Sequence, residues 1–390
     1  MLTPPDIIRV SFSQSGIRME SLQPVFTLTK LFGFNAFVYK QTSSAVTSNW
    51  SRTGIALVVL NVSVNFAFSY HNATRTHANH SKSGSYLLDG GGRLTLAFSY
   101  TSMLGAIFIR MNRRNLMLKI LNRFRMIDQR MAANRMPLDH RSETRLVTNY
   151  IVMFIGIVML AALGVLYVLY LLGTAGTMAV MYGGKVFVSY QGLVLAHSGF
   201  LINQVLVRRI QLLNRRLRQE LHLQTTKSKK RIPPEMFHQY ISQIAFIFDD
   251  MFKLSLDLSF LQFAEIVIFC SVVLGYGILS TYAVYRAISI ANYEHILTSG
   301  SHMIWWFEYC LGMGANLISG HKLEMGSRRT LALLGVAACK EYNQVTVKKM
   351  KCLMLQIQNN TPKITTWFYE VNLTVVGTMA TFLFIMIQFE

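Results

Sequence analysis

The residues best placed to do chemistry lie in an apolar run near the end of the chain, residues 371–389. The run reads VNLTVVGTMATFLFIMIQF, which is long and apolar enough to cross a bilayer as a helix. At about 100° per residue, its threonines, one isoleucine and one glutamine fall in a single stripe about 80° wide. Such a stripe either hydrogen-bonds to neighbouring helices or lines a water-filled path, and the stripe alone leaves both interpretations open. The stripe consists of Thr374, Thr378, Thr381, Ile385 and Gln388.

Aromatic residues collect towards the predicted outer ends of four earlier helices. Together with Glu308 they could stack on a planar organic molecule and offer it polar contacts. Tyr and Trp also gather at membrane interfaces as anchoring belts, which is the alternative interpretation. Glu308 lies about a third of the way into an apolar segment, where a carboxylate is costly; it either binds ligand or pairs with a neighbouring polar group. The candidate ligand-binding residues are Tyr167, Tyr170, Tyr190, Tyr276, Tyr282, Trp305, Trp306 and Glu308.

The composition is that of a membrane protein. Of the 390 residues, 52% are hydrophobic and 14% are charged, whereas soluble domains carry about 25% charged residues. The four cysteines form no C-x-x-C pair and no metal-ligand spacing, so we expect neither a disulfide framework nor a metal site. The sequence shows no Gly-rich phosphate loop, nucleophile triad or paired carboxylates, so we expect no enzymatic activity and no cofactor.

Seven apolar segments are predicted to cross the membrane as helices, which makes the fold class an all-α membrane protein. A further apolar patch, LFGFNAFVY at 31–39, is too short to cross and is predicted to be an interfacial or re-entrant piece. The seven predicted spans are 54–71, 94–109, 147–172, 186–206, 259–284, 301–320 and 371–389.

The basic residues predict the orientation of these helices. The net charge is +20, and 33 of the 38 Lys and Arg residues lie in four segments on one side of the predicted membrane. Basic loops face the cytosol, so the N-terminus is predicted to be cytosolic and the C-terminus extracellular. Because topology accounts for the basic runs, we do not expect a nucleic-acid partner. The four basic segments are 1–53, 110–146, 207–258 and 321–370.

Amphipathic stretches in the basic segments predict that the fourth and fifth helices continue into the cytosol. Ile210, Leu213, Leu217 and Leu221 recur at helical spacing between arginines. Three such stretches could bind each other, the membrane surface or another subunit, and we expect a cytosolic anchor bundle that includes other subunits. The predicted organisation is a cytosolic segment with an interfacial piece (1–53), transmembrane helices 1–4 (54–206), cytosolic extensions of helices 4 and 5 (207–258), transmembrane helices 5–6 (259–320), a cytosolic anchor segment (321–370) and a seventh helix (371–390).

The end of the chain resembles the signature of the insect gustatory receptors, which is a Thr-Tyr pair, five hydrophobic residues and a Gln-Phe pair. The run from Thr381 to Phe389 follows this pattern, with Phe382 in place of the tyrosine. The preceding TTWFYEVNL (365–373) and the LFGF at 31–34 are similar to other elements of that family. The length, the seven spans and the cytosolic N-terminus also agree with it.

The resemblance implies a tastant-gated, non-selective cation channel whose four subunits place their seventh helices around one pore. Ile385 would be a hydrophobic constriction, with Gln388 and Phe389 near the outer mouth. Leu383 stands where sugar-receptor relatives carry Glu, which favours bitter or aversive ligands. A secondary transporter and a metabotropic receptor signalling through a cytosolic partner remain alternatives. The implied pore residues are Thr374, Thr378, Thr381, Ile385, Gln388 and Phe389.

The resemblance also implies the partners and the location of the protein. The partners would be a small-molecule tastant, membrane lipid and, in a homo- or hetero-oligomer, other gustatory receptor subunits. The location would be the cell membrane, as a multi-pass protein, in the dendrite of a sensory neuron.

Overall fold

The computed structural model describes residues 19–42, 45–75, 86–171, 175–225, 234–290, 293–341, 343–365 and 381. Most of these residues are helical, and an antiparallel pair of short strands lies between the first two helices. The strands are β1 (Phe37–Gln41) and β2 (Val46–Trp50). The helices are α1 (Gln23–Leu31), α2 (Arg52–Arg75), α3 (Tyr86–Asn112), α4 (Arg114–Ala133), α5 (His140–Leu171), α6 (Ala175–Thr225), α7 (Pro234–Ile290), α8 (Tyr293–Lys340) and α9 (Gln344–Asn359).

Six long helices contain the first six predicted spans. Five of them, α2, α3, α5, α6 and α7, are long and apolar enough to cross a membrane. The predicted sixth span, 301–320, lies within α8. The predicted seventh span lies outside the described residues except for Thr381, which is helical. The all-α membrane fold that the sequence predicts is confirmed.

Side-chain contacts show that α3 with α4 runs antiparallel to α7. Arg110 on α3 pairs with Glu265 on α7, and Arg130 on α4 pairs with Asp250, which comes earlier on α7. Residue numbers therefore increase along α3 and α4 in the direction in which they decrease along α7. This arrangement is expected of helices that cross a membrane in opposite directions.

The same reasoning shows that α6 and α8 run parallel. Tyr190 contacts Trp305 near their starts, and Asn214 hydrogen-bonds Thr330 near their ends, with 2.7 Å between the side-chain oxygens. Two helices separated by one intervening span must point the same way, so this pairing agrees with α7 crossing between them.

Helix α6 is the central helix of the bundle. In its most apolar stretch, 72% of residues are buried within the chain, compared with 22% for α2 and for α5. Helix α5 instead exposes large apolar side chains such as Leu160 and Leu163. Apolar residues that cover the outside of a bundle are suited to contact with lipid tails, so we assign α2 and α5 to the lipid-facing rim.

A buried amide network joins α6, α7 and α8 midway along the bundle. Asn203 and Gln262 exchange hydrogen bonds at 3.2 and 3.1 Å, and Asn203 also donates to Ser319 at 3.4 Å. Each buried amide satisfies the other, so the network fixes which faces of the three helices meet.

Helices α6 and α7 continue without a break into the basic segment 207–258, as the sequence predicts. The side chains that recur at helical spacing there, Ile210, Leu213 and Leu217, have no solvent exposure. They belong to one buried apolar cluster of this chain that also contains residues of α7, α8 and α9. We refer to this end of the bundle as the basic end and to the opposite end as the outer end.

A buried ion-pair triad ties three helices together at the basic end. Arg209 on α6 donates two hydrogen bonds, at 2.7 and 2.8 Å, to the carboxylate of Asp128 on α4. Its other terminal nitrogen donates to Glu143 on α5 at 3.2 Å. The planar guanidinium matches a carboxylate in this side-on geometry, so the triad sets both position and angle.

The patch at 31–39 contains the end of α1, a turn and the start of β1. Gly33 in this turn has a φ of +78°, and a Cβ there would lie 2.9 Å from Cβ of Asn61 on α2. The Asn61 amide also donates to the carbonyl of Leu31 at 3.1 Å. Glycine is therefore required for both the backbone conformation and the close approach. The sequence analysis did not foresee the strand pair that follows.

Candidate functional site

Three of the predicted ligand-binding residues meet at the outer end, where α5, α6 and α8 converge. They are Tyr190, Trp305 and Glu308, which we call the outer cluster. Trp305 is 4% exposed and packs with Val165 and Val186. Its ring meets the Tyr190 ring edge to face, with centroids 5.6 Å apart and planes at 77°. Edge-to-face contact is a favoured geometry for aromatic rings, so this packed pair forms one side of the cluster.

The hydroxyl of Tyr190 is already used within the protein. It donates to the carbonyl of Val158 on α5 at 2.8 Å. The hydrogen bond holds α6 against α5 and keeps the tyrosine ring beside Trp305. Tyr190 therefore contributes its ring to the outer cluster, and its hydroxyl serves the packing of the helices.

Glu308 is the one acidic member of the outer cluster. It is 6% exposed, and its Oε2 has no hydrogen-bond partner among the residues that the structure describes. Burying a polar group without a hydrogen bond costs about 1–3 kcal/mol by protein mutational data, and a charged group costs more. The site is therefore built to receive a donor that the described residues do not supply.

The predicted residue Tyr276 on α7 forms a pair with Tyr309 on α8, which the sequence analysis did not identify. Tyr276 and Tyr309 are both buried, with ring centroids 5.8 Å apart. Tyr276 hydrogen-bonds Ser99 on α3, and Tyr309 hydrogen-bonds Ser189 on α6. Both hydroxyls thus have partners, and we call these two residues the tyrosine pair.

The structure separates Trp306 from Glu308, although the sequence analysis assigned both to the ligand site. Residues two apart on a helix point about 200° apart, so the two side chains leave α8 on opposite sides. Trp306 packs against Gly277 on α7, and its indole Nε1 has no acceptor among the described residues. Glu308 lies on the α6 side, close enough to influence Tyr190 electrostatically. The two residues cannot hold the same small ligand group.

We expect Gly277→Ala to destabilise the protein because the added methyl would collide with Trp306. The new Cβ would lie 2.6 Å from the indole Nε1 and 3.1 Å from Cε2. Overpacking of this kind costs about 1–3 kcal/mol. Thermal melting of the purified receptor in detergent would measure the loss.

The matched control is Gly275→Ala, one half-turn earlier on α7. Among the described residues, a Cβ there would meet only Thr95, at 3.9 Å, which is ordinary contact. Both substitutions gain the same helix propensity of about 1 kcal/mol, so their difference isolates the collision. Equal melting temperatures for the two variants would contradict the close packing of Trp306 on α7.

The remaining predicted tyrosines lie away from both groups. Tyr167 and Tyr170 on α5 are 62% and 72% exposed on the outside of the bundle. Their positions match those of residues in an aromatic belt at a membrane interface. Tyr282 is partly buried further along α7 towards the outer end. We do not include these three in the proposed ligand site.

Sequence reasoning missed Tyr309, its partner Ser189 and the partner of Tyr276, which is Ser99. One signal could have found Tyr309, since it follows Trp305 by four residues and so shares its side of the helix. The serines carry no such signal, because their roles come from contacts between helices distant in sequence.

A small cavity near the basic end, lined by apolar and polar residues, is not the ligand site. Thr29, Asn35 and Tyr39 of the N-terminal elements line it, together with Arg110 of α3 and Arg113 between α3 and α4. Its volume is about 20 Å³, which is room for about one water molecule; small-molecule sites measure about 300–1,000 Å³. Burial raises the pKa of Tyr39 to about 12, so its hydroxyl stays protonated. Within the described ranges, no three His, Cys, Asp or Glu side chains could hold a metal ion.

The predicted pore residues fall almost wholly outside the part of the chain that the structure describes. Thr381 is helical and exposed, in agreement with a helix at this position. The described residues give no geometry for the other five, so their roles stay predictions. These residues are Thr374, Thr378, Ile385, Gln388 and Phe389.

Comparison with known proteins extends this description. Residues 22–390 match the family model described as 7tm chemosensory receptor. The fold is similar to that of the insect olfactory receptor OR5 from Machilis hrabei in complex with eugenol, with a TM-score of 0.61 and 10% sequence identity. That match covers 95% of this chain and 98% of the olfactory receptor. No curated protein matches the sequence. Because the family model spans nearly the whole chain, the protein belongs to the 7tm chemosensory receptor family.

Proposed function

We propose that this protein is a gustatory receptor that acts as a tastant-gated, non-selective cation channel. The observation that carries the proposal is the polar stripe of residues 371–389, which ends in the gustatory-type signature, in a chain of the chemosensory receptor family. The signature favours taste over smell among chemosensory roles. The sensory neuron dendrite is the proposed location.

The pore in this proposal needs several copies of the chain. One helix with one polar stripe cannot enclose a column of water, whereas a symmetric ring of such helices can. We propose four copies, either identical or shared with other gustatory receptor subunits. Thr374, Thr378 and Thr381 would wet the path, and Ile385 would close it by dewetting.

The proposed ligand site is formed by the outer cluster and the tyrosine pair. Their buried rings suit a planar organic molecule, and the olfactory receptor of similar fold is in complex with eugenol, itself an aromatic compound. The apolar, aromatic character of these residues and Leu383 in the signature favour bitter or aversive ligands over sugars.

Expression of this chain alone in cells that lack other chemoreceptors tests the proposal. We expect ligand-evoked cation current when a panel of aromatic compounds is applied under voltage clamp. Excised patches without cytosolic components should retain the current, because a channel needs no second messenger. Current that disappears on excision would indicate a metabotropic receptor, and flux of the ligand itself would indicate a transporter; either result would overturn the proposal.

We expect a tag at the C-terminus, and not one at the N-terminus, to be stained in intact cells. The charge asymmetry predicts this orientation, and permeabilised cells should reveal both tags equally. The measurement is immunofluorescence with and without detergent. N-terminal staining in intact cells would reverse the outer and basic ends throughout this description.

A further inference from the structure

The buried carboxylates among the described residues form ion pairs with arginine or lysine, and Glu308 is the exception. Among the described residues, six Asp and Glu side chains are buried. Five of them have an arginine or lysine of the same chain in ion-pair contact. These pairs are Asp128 and Glu143 with Arg209, Glu220 with Arg216, Asp257 with Lys119 and Arg123, and Glu265 with Arg110. Glu308 has no ion pair within the described part of the chain.

The location of Glu308 makes the missing cation significant. The five paired carboxylates belong to the middle and the basic end of the bundle, whereas Glu308 lies near the outer end. Lys185, near the start of α6, has an interaction of its own, and its charge has no resolved influence on Glu308. No described basic residue therefore serves Glu308 as a counter-charge.

The side chains around Glu308 are aromatic. Trp305 lies one turn before Glu308 on α8. Tyr190 and Tyr309 lie close enough to Glu308 for an electrostatic interaction with its carboxylate. The hydroxyls of both tyrosines are already hydrogen-bonded, to Val158 and to Ser189. What remains available to a ligand is the carboxylate and the aromatic surface. A carboxylate beside aromatic rings is the combination that recognises an ammonium group attached to an organic framework.

We infer that the outer cluster binds aromatic amines, with the Glu308 carboxylate pairing with the ligand's ammonium group. The inference rests on the proposed function of this cluster as the ligand site and names the chemical class that it takes. The ammonium group of the ligand takes the place of the arginine or lysine side chain that pairs with each of the other described buried carboxylates. Removing one partner from a buried hydrogen-bonded pair is costly, so an uncharged analogue would leave Glu308 unpaired and would bind more weakly.

Matched probes test this inference directly. Tryptamine and tryptophol have the same ring and the same chain length. Tryptamine ends in an amine, which is protonated at neutral pH, whereas tryptophol ends in a hydroxyl group. We expect tryptamine to evoke current in the wild type at a concentration at least about tenfold lower than tryptophol does, since tenfold corresponds to about 1.4 kcal/mol. Binding is measured separately, as the rise in melting temperature of the purified receptor with each probe.

The variant Glu308→Gln keeps the shape of the side chain and removes its charge. We expect it to fold, to reach the cell surface and to lose the preference for tryptamine while its response to tryptophol is kept. The matched control is Glu324→Gln on the same helix, whose carboxylate pairs with the exposed Arg328 and should leave both responses unchanged. If a variant gives only small currents, the rise in its melting temperature with tryptophol and with tryptamine still compares its binding of the two probes.

The outcomes separate the inference from the proposed channel function. Stabilisation by tryptamine that Glu308→Gln abolishes, without any evoked current, would support the amine site and contradict the channel. Currents with equal potency for both probes, or a tryptamine preference that survives in Glu308→Gln, would overturn the amine site and leave the channel standing. Neither current nor stabilisation by tryptamine in the wild type would also overturn the amine site.

Discussion

Replacing Ile385 with Ser is expected to raise the ligand-independent current several-fold over that of the unmodified receptor. Ile385 is the apolar interruption in the polar stripe, and in four copies it would form a ring that excludes water from the closed pore. A hydroxyl at each position would hydrate that ring and remove the barrier. Whole-cell current in the absence of ligand, normalised to surface expression, measures the effect.

The neighbouring residues provide the controls for this prediction. Phe384→Leu lies about 100° around the helix, away from the stripe, and should leave the resting current unchanged. Gln388→Arg should lower cation flux, because four positive charges would meet near the outer mouth. If cysteines at 385 and 388 ignored water-soluble thiol reagents while cysteines at 383 and 386 reacted, the stripe would be a packing surface between helices.

Replacing Arg209 with Met is expected to destabilise the receptor enough to abolish its surface expression. Arg209 is buried and is the partner of both Asp128 and Glu143. Removing one partner of a buried ion pair costs about 3–5 kcal/mol, and here two carboxylates lose their counter-charge. Since the whole stability of a folded protein is about 5–15 kcal/mol, a loss of this size is a large fraction of it. Melting temperature in detergent and surface labelling report the change.

Two comparisons show whether the unpaired carboxylates cause the loss of stability in the Arg209 variant. Arg328→Met removes an arginine that is largely exposed and pairs with Glu324 within α8, and such pairs contribute about 0–1 kcal/mol. Replacing Arg209, Asp128 and Glu143 together with apolar residues removes all the charges and should restore much of the stability. Equal melting temperatures for the Arg209 and Arg328 variants would show that the triad does not hold the basic end together.

The sequence alone predicts the elements that depend on local pattern. Apolar length predicts the first six spans, and the spacing of Ile210, Leu213 and Leu217 predicts that α6 continues beyond the membrane. Long helices lie at all six places, five of them long and apolar enough to cross a membrane, because helical periodicity and membrane thickness act on consecutive residues. The strand pair β1 and β2 escaped prediction, because ten residues of mixed polarity carry no strong alternation.

The tertiary structure alone decides which side chains meet. The sequence identifies Trp305, Trp306 and Glu308 as candidates, yet only the packing of α8 between α6 and α7 directs Trp306 to Gly277 and Glu308 towards Tyr190. Likewise, the sequence contains enough arginines to pair every carboxylate, and only the fold shows that Glu308 has no ion pair with another described residue. The physical reason is that ion pairs and aromatic contacts join residues far apart in the chain, whereas hydropathy and periodicity record only the near neighbours of each residue.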